Sequence, residues 1–291
     1  MKSVSIVIRN LNESSDLEKV LTGLSVQRDV KSEVILVDNE STDNSVEIAR
    51  KHGAKVVMLP RKQFTYGRAL NAGLEAAENE ICVILSAHSM PSGRDFLAAC
   101  CEPFDIPDVA AARCVCAGKH SDQLRWTAPE VLRGDIDFET VISKGPLASG
   151  CVIRRSVWQK VGFDETVNAA EDKKWAQAIL SRGYAIYSPC AATYFYLKKI
   201  SRVADVKKQM HDIEAIYNYS TRLVGFARAS TTEAISGLLK SLFISTPVAA
   251  VTVAHVSFLV CFYTLHCRFR RTFNCVRKQK RATIPPARRV F

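Results

Sequence analysis

Residues 64–91 constrain the fold of this chain more than any other stretch. Residues 66–78 carry apolar side chains at helical spacing, and residues 81–85 form an uninterrupted apolar run. Such a run is typical of a strand that is buried on both faces, as in a sheet covered by helices. A polar turn at residues 86–89 follows directly. Because ligands bind at the carboxyl ends of strands in open α/β sheets, we expect the reactive end of a substrate at His88.

Strands and helices alternate along the first two hundred residues. Short apolar runs predict strands, with helices between them, at residues 4–8, 33–37, 55–59, 81–85, 109–115, 147–153 and 184–187. This alternation predicts an α/β fold with a doubly wound, largely parallel sheet. No Gly-x-Gly-x-x-Gly follows the first strand, which argues against an ordinary dinucleotide-binding fold. Residues 120–145 form a long polar excursion that we interpret as a substrate-binding insertion.

The positive charge of the chain is concentrated at its C-terminal end. The formal net charge of the 291 residues is +11, and residues 268–291 contain nine basic side chains and no acidic one. About +2 is left for the first 267 residues, so composition does not indicate that the body of the protein binds nucleic acid. The tail holds only three aromatic side chains, which argues against stacking on single-stranded bases.

A long uncharged segment precedes this basic tail. Residues 241–267 contain no Asp, Glu, Lys or Arg. As a helix this segment would be about 40 Å long, enough to cross the hydrocarbon core of a bilayer. We favour a membrane-embedded or interfacial segment with both flanks in the cytoplasm, because the basic tail should stay on that side. The alternative is the buried core of a small helical C-terminal region. The basic tail would add roughly 1 kcal/mol of attraction per charge near anionic lipid.

The cysteines and the N-terminal residues indicate the cellular compartment of the protein. The ten cysteines lack the paired spacing of a zinc site, and we interpret them as small buried hydrophobic residues in a reducing compartment. Met1 leads almost directly into a predicted strand, which does not fit a signal peptide. These features predict a cytoplasmic protein, located at the inner face of the cytoplasmic membrane through residues 241–291.

Six segments, in chain order, resemble glycosyltransferase family 2, whose members have the GT-A fold. They are residues 4–13 (VSIVIRNLNE), 37–45 (VDNESTDNS), 69–73 (ALNAG), 85–91 (LSAHSMP), 149–165 (SGCVIRRSVWQKVGFDE) and 171–175 (EDKKW). Residues 64–91 look most like the rhamnosyltransferase branch. The resemblance covers roughly residues 1–197. It implies a GT-A domain at residues 1–200, with a doubly wound mixed sheet, and a helical, partly hydrophobic appendage at residues 201–291.

The resemblance implies a donor-binding crevice at the ends of the first two strands. Asp38 matches the family acid that hydrogen-bonds the nucleobase, and Asn39 lies beside it. Arg9, Asn10 and Glu13 line the same crevice and are expected to contact the base or the ribose. Two simpler interpretations stay open, namely that Asp38 stabilises a turn and that Glu13 is a solvated loop acid.

The metal-binding motif of the family is altered in this chain. The Asp-x-Asp motif falls on Ser86-Ala87-His88, so both acids are replaced. In the family these acids hold a divalent cation, Mn²⁺ or Mg²⁺, that bridges the donor phosphates. His88 would contact the donor either as a metal ligand or as a cation paired with a phosphate. The family's late metal-binding histidine, expected after the last predicted strand, is also missing, since residues 193–196 read Thr-Tyr-Phe-Tyr. We therefore expect weaker metal dependence than in relatives.

Three residues near position 150 complete the expected donor site. Gly150 is expected to let the donor approach the sheet closely, because it has no side chain. Arg154 and Arg155 are candidates for pairing with the diphosphate, although a solvated surface position is the simpler interpretation for at least one of them.

The acidic pair Glu171-Asp172 matches the family's pair before the final helix. The resemblance implies that Asp172 is the general base for the acceptor hydroxyl, with Glu171 binding the acceptor or tuning the base. The simpler interpretation is that two acids stabilise a helix N-terminus. Trp175, one turn on, would either stack against an acceptor sugar or fill the core.

The resemblance as a whole implies an inverting glycosyltransferase. It would move a hexose or deoxyhexose from a nucleotide-sugar donor to a glycan or lipid-linked acceptor in cell-surface polysaccharide synthesis. The altered metal motif leaves an alternative, a catalytically idle nucleotide-sugar-binding protein that acts as a membrane scaffold.

Overall fold

The computed structural model describes residues 1–117, 127–167 and 169–198. The strands in this part of the chain are β1 (Lys2–Asn10), β2 (Val30–Asp38), β3 (Lys55–Met58), β4 (Ile81–Ser86), β5 (Ser89–Pro91), β6 (Val109–Arg113), β7 (Val115–Ala117), β8 (Glu130–Leu132), β9 (Gly150–Arg154), β10 (Ala185–Ser188) and β11 (Thr193–Tyr196). The α-helices are α1 (Ser14–Ser25), α2 (Ser45–Lys51), α3 (Tyr66–Glu75), α4 (Phe96–Cys101), α5 (Phe138–Lys144), α6 (Arg155–Lys160) and α7 (Glu171–Leu180). Short 3-10 helices lie at Arg61–Gln63 and Glu102–Asp105.

The main sheet has eight strands in the order β3-β2-β1-β4-β9-β6-β10-β8. β1 pairs in parallel with both β2 and β4, and β2 pairs in parallel with β3. β9 is antiparallel to β4 and to β6, which makes the sheet mixed. The carboxyl ends of β1, β2 and β4 therefore meet at one edge, and β9 begins at that edge. This topology confirms the predicted doubly wound mixed α/β sheet.

Both faces of the main sheet are covered, which explains the uninterrupted apolar runs. In β1, Ile6 and Ile8 belong to a core cluster with side chains of α1, α2 and α4. Val7, between them, belongs to a second cluster with side chains of α3, α6 and α7. All three side chains are fully buried. Because β4 alternates in the same way, the strands that carry the polar edge are held firmly from both sides.

A second sheet of three strands, in the order β5-β11-β7, was not predicted from the sequence. β5 begins three residues after β4 ends, and it pairs antiparallel with β11. The predicted strand at residues 109–115 is in fact two strands, because β6 pairs with β9 and β10 in the main sheet whereas β7 pairs with β11 in the second sheet. The described part of the predicted insertion contains β8 and α5.

The cysteines in the described ranges bear out their interpretation as buried hydrophobic residues. Seven of them are free and buried, namely Cys82, Cys100, Cys101, Cys114, Cys116, Cys151 and Cys190. Burial raises the pKa of Cys82 to about 12 and that of Cys100 to about 11, so both stay protonated thiols at neutral pH.

Over the part of the chain that the structure describes, no helix combines the length and the apolar character needed to cross a bilayer. The hydrophobic segment 241–267 and the basic tail 268–291 lie outside the described residues.

Candidate active site

The strand register brings the predicted donor residues together at the carboxyl edge. Asn10 at the end of β1 is the Cα partner of Asp38 at the end of β2. Arg9 is the Cα partner of Ser86 at the end of β4. His88 follows two residues later, before β5. The resemblance implied a crevice at this edge, where open α/β sheets bind ligands, and the role of each residue stays a prediction.

Asp38 organises the loop that follows β2. Its side chain is fully buried, and Oδ2 accepts hydrogen bonds from Asn10 Nδ2 at 2.8 Å and Ser41 Oγ at 2.6 Å. Oδ1 accepts a third from the backbone N–H of Ser41 at 2.8 Å. The carboxylate therefore has a structural role in this loop, as the simpler interpretation of the sequence allowed. A contact between Asp38 and a nucleobase stays a prediction.

Unpartnered polar atoms surround this carboxylate. Asn10 Oδ1, Asn39 Oδ1 and Arg9 Nε are buried and have no hydrogen-bond partner among the described residues. Buried polar atoms in folded proteins are nearly always paired, so orphaned ones need an explanation. A bound nucleotide that supplies donors to the two amide oxygens would provide one.

Arg9 connects the end of β1 to the acidic pair. Its Nη1 donates to Glu171 Oε1 at 3.3 Å, and its Nη2 donates to the carbonyl oxygen of Ala148 at 3.2 Å. The guanidinium carbon lies 4.9 Å from the centre of the Tyr66 ring, within the range of a cation–π contact. In this structure the Arg9 side chain thus faces the acidic pair, whereas sequence analysis placed it against the base or ribose.

The acidic pair begins α7 immediately after a residue in an unusual conformation. Ala170 has φ of 62°, in the left-handed region, which is uncommon for a residue other than glycine. Asp172 Oδ2 accepts a hydrogen bond from the backbone N–H of Ala148 at 3.0 Å. Its Oδ1 accepts one from the backbone N–H of Lys173 at 2.8 Å. Glu171 is only 5 % exposed, whereas Asp172 is half-buried and can be reached by an acceptor.

Two buried cations that the sequence did not predict, Lys173 and Arg113, bind the backbone carbonyl groups of residues 145 and 146. Lys173 Nζ donates to Pro146 O at 2.7 Å and Gly145 O at 3.3 Å. Arg113 Nη1 donates to Gly145 O at 3.1 Å. Burial lowers the pKa of Lys173 to about 8, against the attraction of the Asp172 carboxylate. An arginine inside the otherwise apolar predicted strand at residues 109–115 was a signal in the sequence for an inward-facing cation.

Glu13 lies between His88 and Lys198. His88 Nδ1 is hydrogen-bonded to Glu13 Oε2, and Lys198 Nζ donates to Glu13 Oε1 at 2.6 Å. The Tyr196 ring meets the imidazole edge to face, with ring centres 4.4 Å apart. Burial acts to raise the pKa of Glu13, but the hydrogen bonds from His88 and Lys198 outweigh it and leave this pKa below its ordinary value. Glu13 is therefore an ionised, paired acid, and its interpretation as a solvated loop acid is wrong.

The side chains at this edge do not fit the divalent cation that the resemblance implies. Ser86 offers a neutral hydroxyl where the motif has a carboxylate, and both oxygens of Glu13 are engaged. Lys198 brings a positive charge to the same carboxylate, which opposes a second cation there. Within the described ranges, no three His, Cys, Asp or Glu side chains cluster as a metal site would require.

Gly150 and Trp175 are explained by packing. A Cβ atom on Gly150 would lie 2.2 Å from Cε1 of Tyr194, so the close approach that this glycine permits is that of an aromatic ring. Trp175 is 2 % exposed, donates its indole N–H to Val161 O and packs against Phe163 with ring centres 5.2 Å apart. The structure thus supports the core interpretation of Trp175 over stacking on an acceptor.

Arg154 and Arg155 lie at the opposite edge of the sheet, because β9 runs antiparallel and ends beside the start of β4. Arg154 Nε donates to Val109 O at 3.0 Å, and Arg155 Nε donates to Leu74 O at 3.2 Å. The suggestion that these arginines pair with the donor diphosphate is therefore wrong.

Solved structures with the same fold support this description. A mannosyltransferase from Pyrobaculum calidifontis, PcManGT, solved in complex with GDP-Man and Mn²⁺, superposes with a TM-score of 0.60. The match covers 89 % of this chain and 80 % of that chain at 20 % sequence identity. At this identity the likeness shows the fold alone, which is the GT-A fold of glycosyltransferases.

The sequence model of "Glycosyl transferase family 2" matches residues 5–162, more than half of the chain. This chain therefore belongs to glycosyltransferase family 2, as the resemblance predicted. An uncharacterised glycosyltransferase of Mycobacterium tuberculosis (strain H37Rv) is 37 % identical over 92 residues, which cover 31 % of this chain and 39 % of that protein. The O-antigen chain rhamnosyltransferase WbaN of Salmonella anatum is 24 % identical over 175 residues, 55 % of each. The alignments thus span only about four tenths to half of these relatives.

Proposed function

We propose that this chain is an inverting glycosyltransferase that moves a hexose or deoxyhexose from a nucleotide-sugar donor to a hydroxyl group of a glycan or lipid-linked acceptor. Membership of family 2 supports the reaction class. The names of a relative, an O-antigen chain rhamnosyltransferase, and of a structural neighbour bound to GDP-Man support the substrate class and a role in cell-surface polysaccharide synthesis.

The main support for this proposal comes from the contacts of Arg9. Arg9 at the end of β1 contacts both Glu171 and Ala148, and Ala148 in turn contacts Asp172. The acidic pair therefore lies at the same edge of the sheet as the predicted donor residues, although about 160 residues separate it from β1 in the chain. A base and a leaving-group site brought together in this way are what glycosyl transfer requires.

In the proposed reaction, the acceptor hydroxyl oxygen attacks the anomeric carbon while the nucleoside diphosphate leaves from the opposite side of the sugar. Asp172 takes the hydroxyl proton. Two backbone N–H groups hold its carboxylate in place, and its exposure leaves room for an acceptor. Glu171 is buried against Arg9, so its role is to position this guanidinium and the acceptor side of the crevice.

The altered Ser86-Ala87-His88 motif favours a second candidate, a nucleotide-sugar-binding scaffold without catalysis. Transfer assays with UDP-, GDP- and dTDP-sugars, each paired with a thermal-shift measurement, separate the two functions. A ligand that binds the folded state raises the apparent melting temperature. We expect one donor to raise it and to be consumed in transfer or slow hydrolysis. Binding without turnover would favour the scaffold, and no binding by any donor would contradict both functions.

The C-terminal sequence adds a proposal about location. The uncharged segment 241–267 and the nine basic side chains after it support contact with the inner face of an anionic membrane. Deletion of residues 268–291 should weaken binding to vesicles that contain phosphatidylglycerol, most clearly at low salt, and should leave transfer to a soluble acceptor unchanged. Equal binding with and without the tail would contradict the electrostatic part of this proposal.

A further inference from the structure

We propose that Lys198, held in place by Glu13 and His88, supplies the positive charge that neutralises the diphosphate of the donor in place of a divalent cation. This inference rests on the proposed function, because it assigns a residue to the donor site of that reaction. The Lys198 side chain belongs to no segment of the resemblance, and it comes to the site through the fold.

The second sheet brings Lys198 to the carboxyl edge. Tyr196 at the end of β11 pairs with Ser89 in β5, directly after His88. The backbone N–H of Leu197 then donates to the carbonyl oxygen of His88 at 2.8 Å. These backbone contacts hold residues 196 and 197 against residues 88 and 89, so Lys198, the next residue, lies close to the segment that replaces the metal-binding motif.

Glu13 orients the Lys198 side chain and occupies one of its hydrogen-bond donors. Its side chain is 16 % exposed, and its two oxygens are shared between His88 and Lys198. An ammonium group carries three N–H donors. Among the described residues one of these donors contacts Glu13, and the other two are directed to phosphate oxygens in the proposed complex. The Lys198 side chain is 50 % exposed, so a donor molecule can reach it.

Electrostatics favour a protein cation over a metal ion at this position. The hydrogen bond with Glu13 outweighs burial and keeps the pKa of Lys198 above its ordinary value, so the ammonium is charged at neutral pH. A divalent cation would meet this charge and would find the Glu13 carboxylate already engaged. Arg9, the Cα partner of Ser86, is a second cation at this edge, where it pairs with Glu171.

The contact between Glu13 and His88 is also compatible with a metal ion bound by the imidazole. A carboxylate that accepts from one imidazole nitrogen also supports metal binding by the other nitrogen. The two possibilities differ in what a chelator does to nucleotide binding, which calorimetry measures without any need for turnover.

The experiment titrates UDP, GDP and dTDP separately into the full-length protein in EDTA and in Mn²⁺. We expect at least one nucleotide to bind in EDTA with an affinity within about twofold of that in Mn²⁺, since the charge comes from the protein. Lys198→Met should weaken that affinity roughly tenfold to a hundredfold in both buffers, the usual loss for a hydrogen bond to a charged group. Lys198→Arg should retain most of the affinity.

Lys19→Met is the matched control, because Lys19 is 53 % exposed and also pairs with an acid, Asp16, but lies on α1 away from the site. It should bind as the unaltered protein does. Binding that is lost in EDTA and restored by Mn²⁺, or Lys198→Met with unchanged affinity, would overturn the inference and leave the proposed function standing. Absence of binding for all three nucleotides in both buffers would overturn the proposed function as well.

Discussion

The carboxylate of Asp172 and the backbone of Ala148 are joined by a hydrogen bond of 3.0 Å, from the Ala148 N–H to Oδ2. The carbonyl oxygen of Ala148 accepts from Arg9 at the same time, so one peptide segment links the acidic pair to the end of β1. Lys173 anchors the neighbouring carbonyl groups of Gly145 and Pro146. The position of the candidate base therefore depends on a segment more than twenty residues away in the chain.

The first prediction concerns Asp38→Ala. If Asp38 served nucleotide binding alone, removal of its side chain would leave the fold intact. The structure indicates otherwise, because the Ser41 N–H, the Ser41 hydroxyl and Asn10 Nδ2 would all lose this carboxylate as an acceptor. We expect a loss of about 1–3 kcal/mol in the free energy of unfolding for each unsatisfied group, measured by urea denaturation, together with weaker nucleotide binding.

The control for this variant is Asp16→Ala, which removes an acid from an exposed pair with Lys19. It should change the free energy of unfolding by no more than about 0.5 kcal/mol. An Asp38→Ala variant as stable as this control would show that the loop does not depend on the carboxylate.

The second prediction concerns Gly150→Ala. The added methyl group would lie 2.2 Å from the Tyr194 ring, so the ring or the strand must move, at a cost of about 1–3 kcal/mol. Tyr194→Ala removes the obstacle, so the double variant should lose less stability than the two single losses added together. Gly23→Ala, whose new methyl group would have its nearest neighbour at 3.5 Å, is the control and should be neutral or stabilising. Additive losses in the denaturation cycle would contradict the contact.

Much of the fold could be predicted from the sequence because the strands are buried on both faces. Their apolar runs are continuous, and the polar residues that follow, such as Asn10, Asp38 and Ser86, mark the edge where strands end together. Because parallel strands end at one edge of the sheet, the sequence predicts where these polar residues lie. It does not predict which side chains they contact there.

The remaining contacts depend on tertiary neighbours that periodicity does not reveal. Lys198 reaches Glu13 across 185 residues through a strand of the second sheet that the sequence did not predict. Trp175 lies at helical spacing, which shows that it faces inward but not whether core or ligand lies against it. Gly150 indicates a close approach, but only the structure shows that Tyr194 makes it.

The third prediction concerns pH and Lys173. Its pKa is lowered by burial to about 8, below the ordinary value near 10.5. Between these two pH values the unfolded chain binds more protons than the folded one, so this group makes stability rise as pH rises. The unfolding free energy of the unaltered protein minus that of Lys173→Met should therefore increase from pH 8 to pH 10.

Denaturation at several pH values measures this difference, with Lys19→Met as the exposed control. For the control the difference should not change with pH over this range, because Lys19 is solvated in both states. A difference for Lys173→Met that is as flat as the control would show that Lys173 is not held in a buried, desolvated state.

The central claim is tested most directly by the turnover of Asp172→Asn at saturating donor, with donor affinity measured separately. The amide keeps one oxygen for the Ala148 N–H but cannot take the acceptor proton, so turnover should fall about 10²–10⁴-fold with little change in affinity. Asp16→Asn, which alters an acid in the first turn of another helix, α1, should keep full turnover. Loss of turnover in Glu171→Gln, with normal activity in Asp172→Asn, would assign the base to Glu171. Near-normal turnover in both variants would contradict the account, because the acidic pair would then serve only to begin α7.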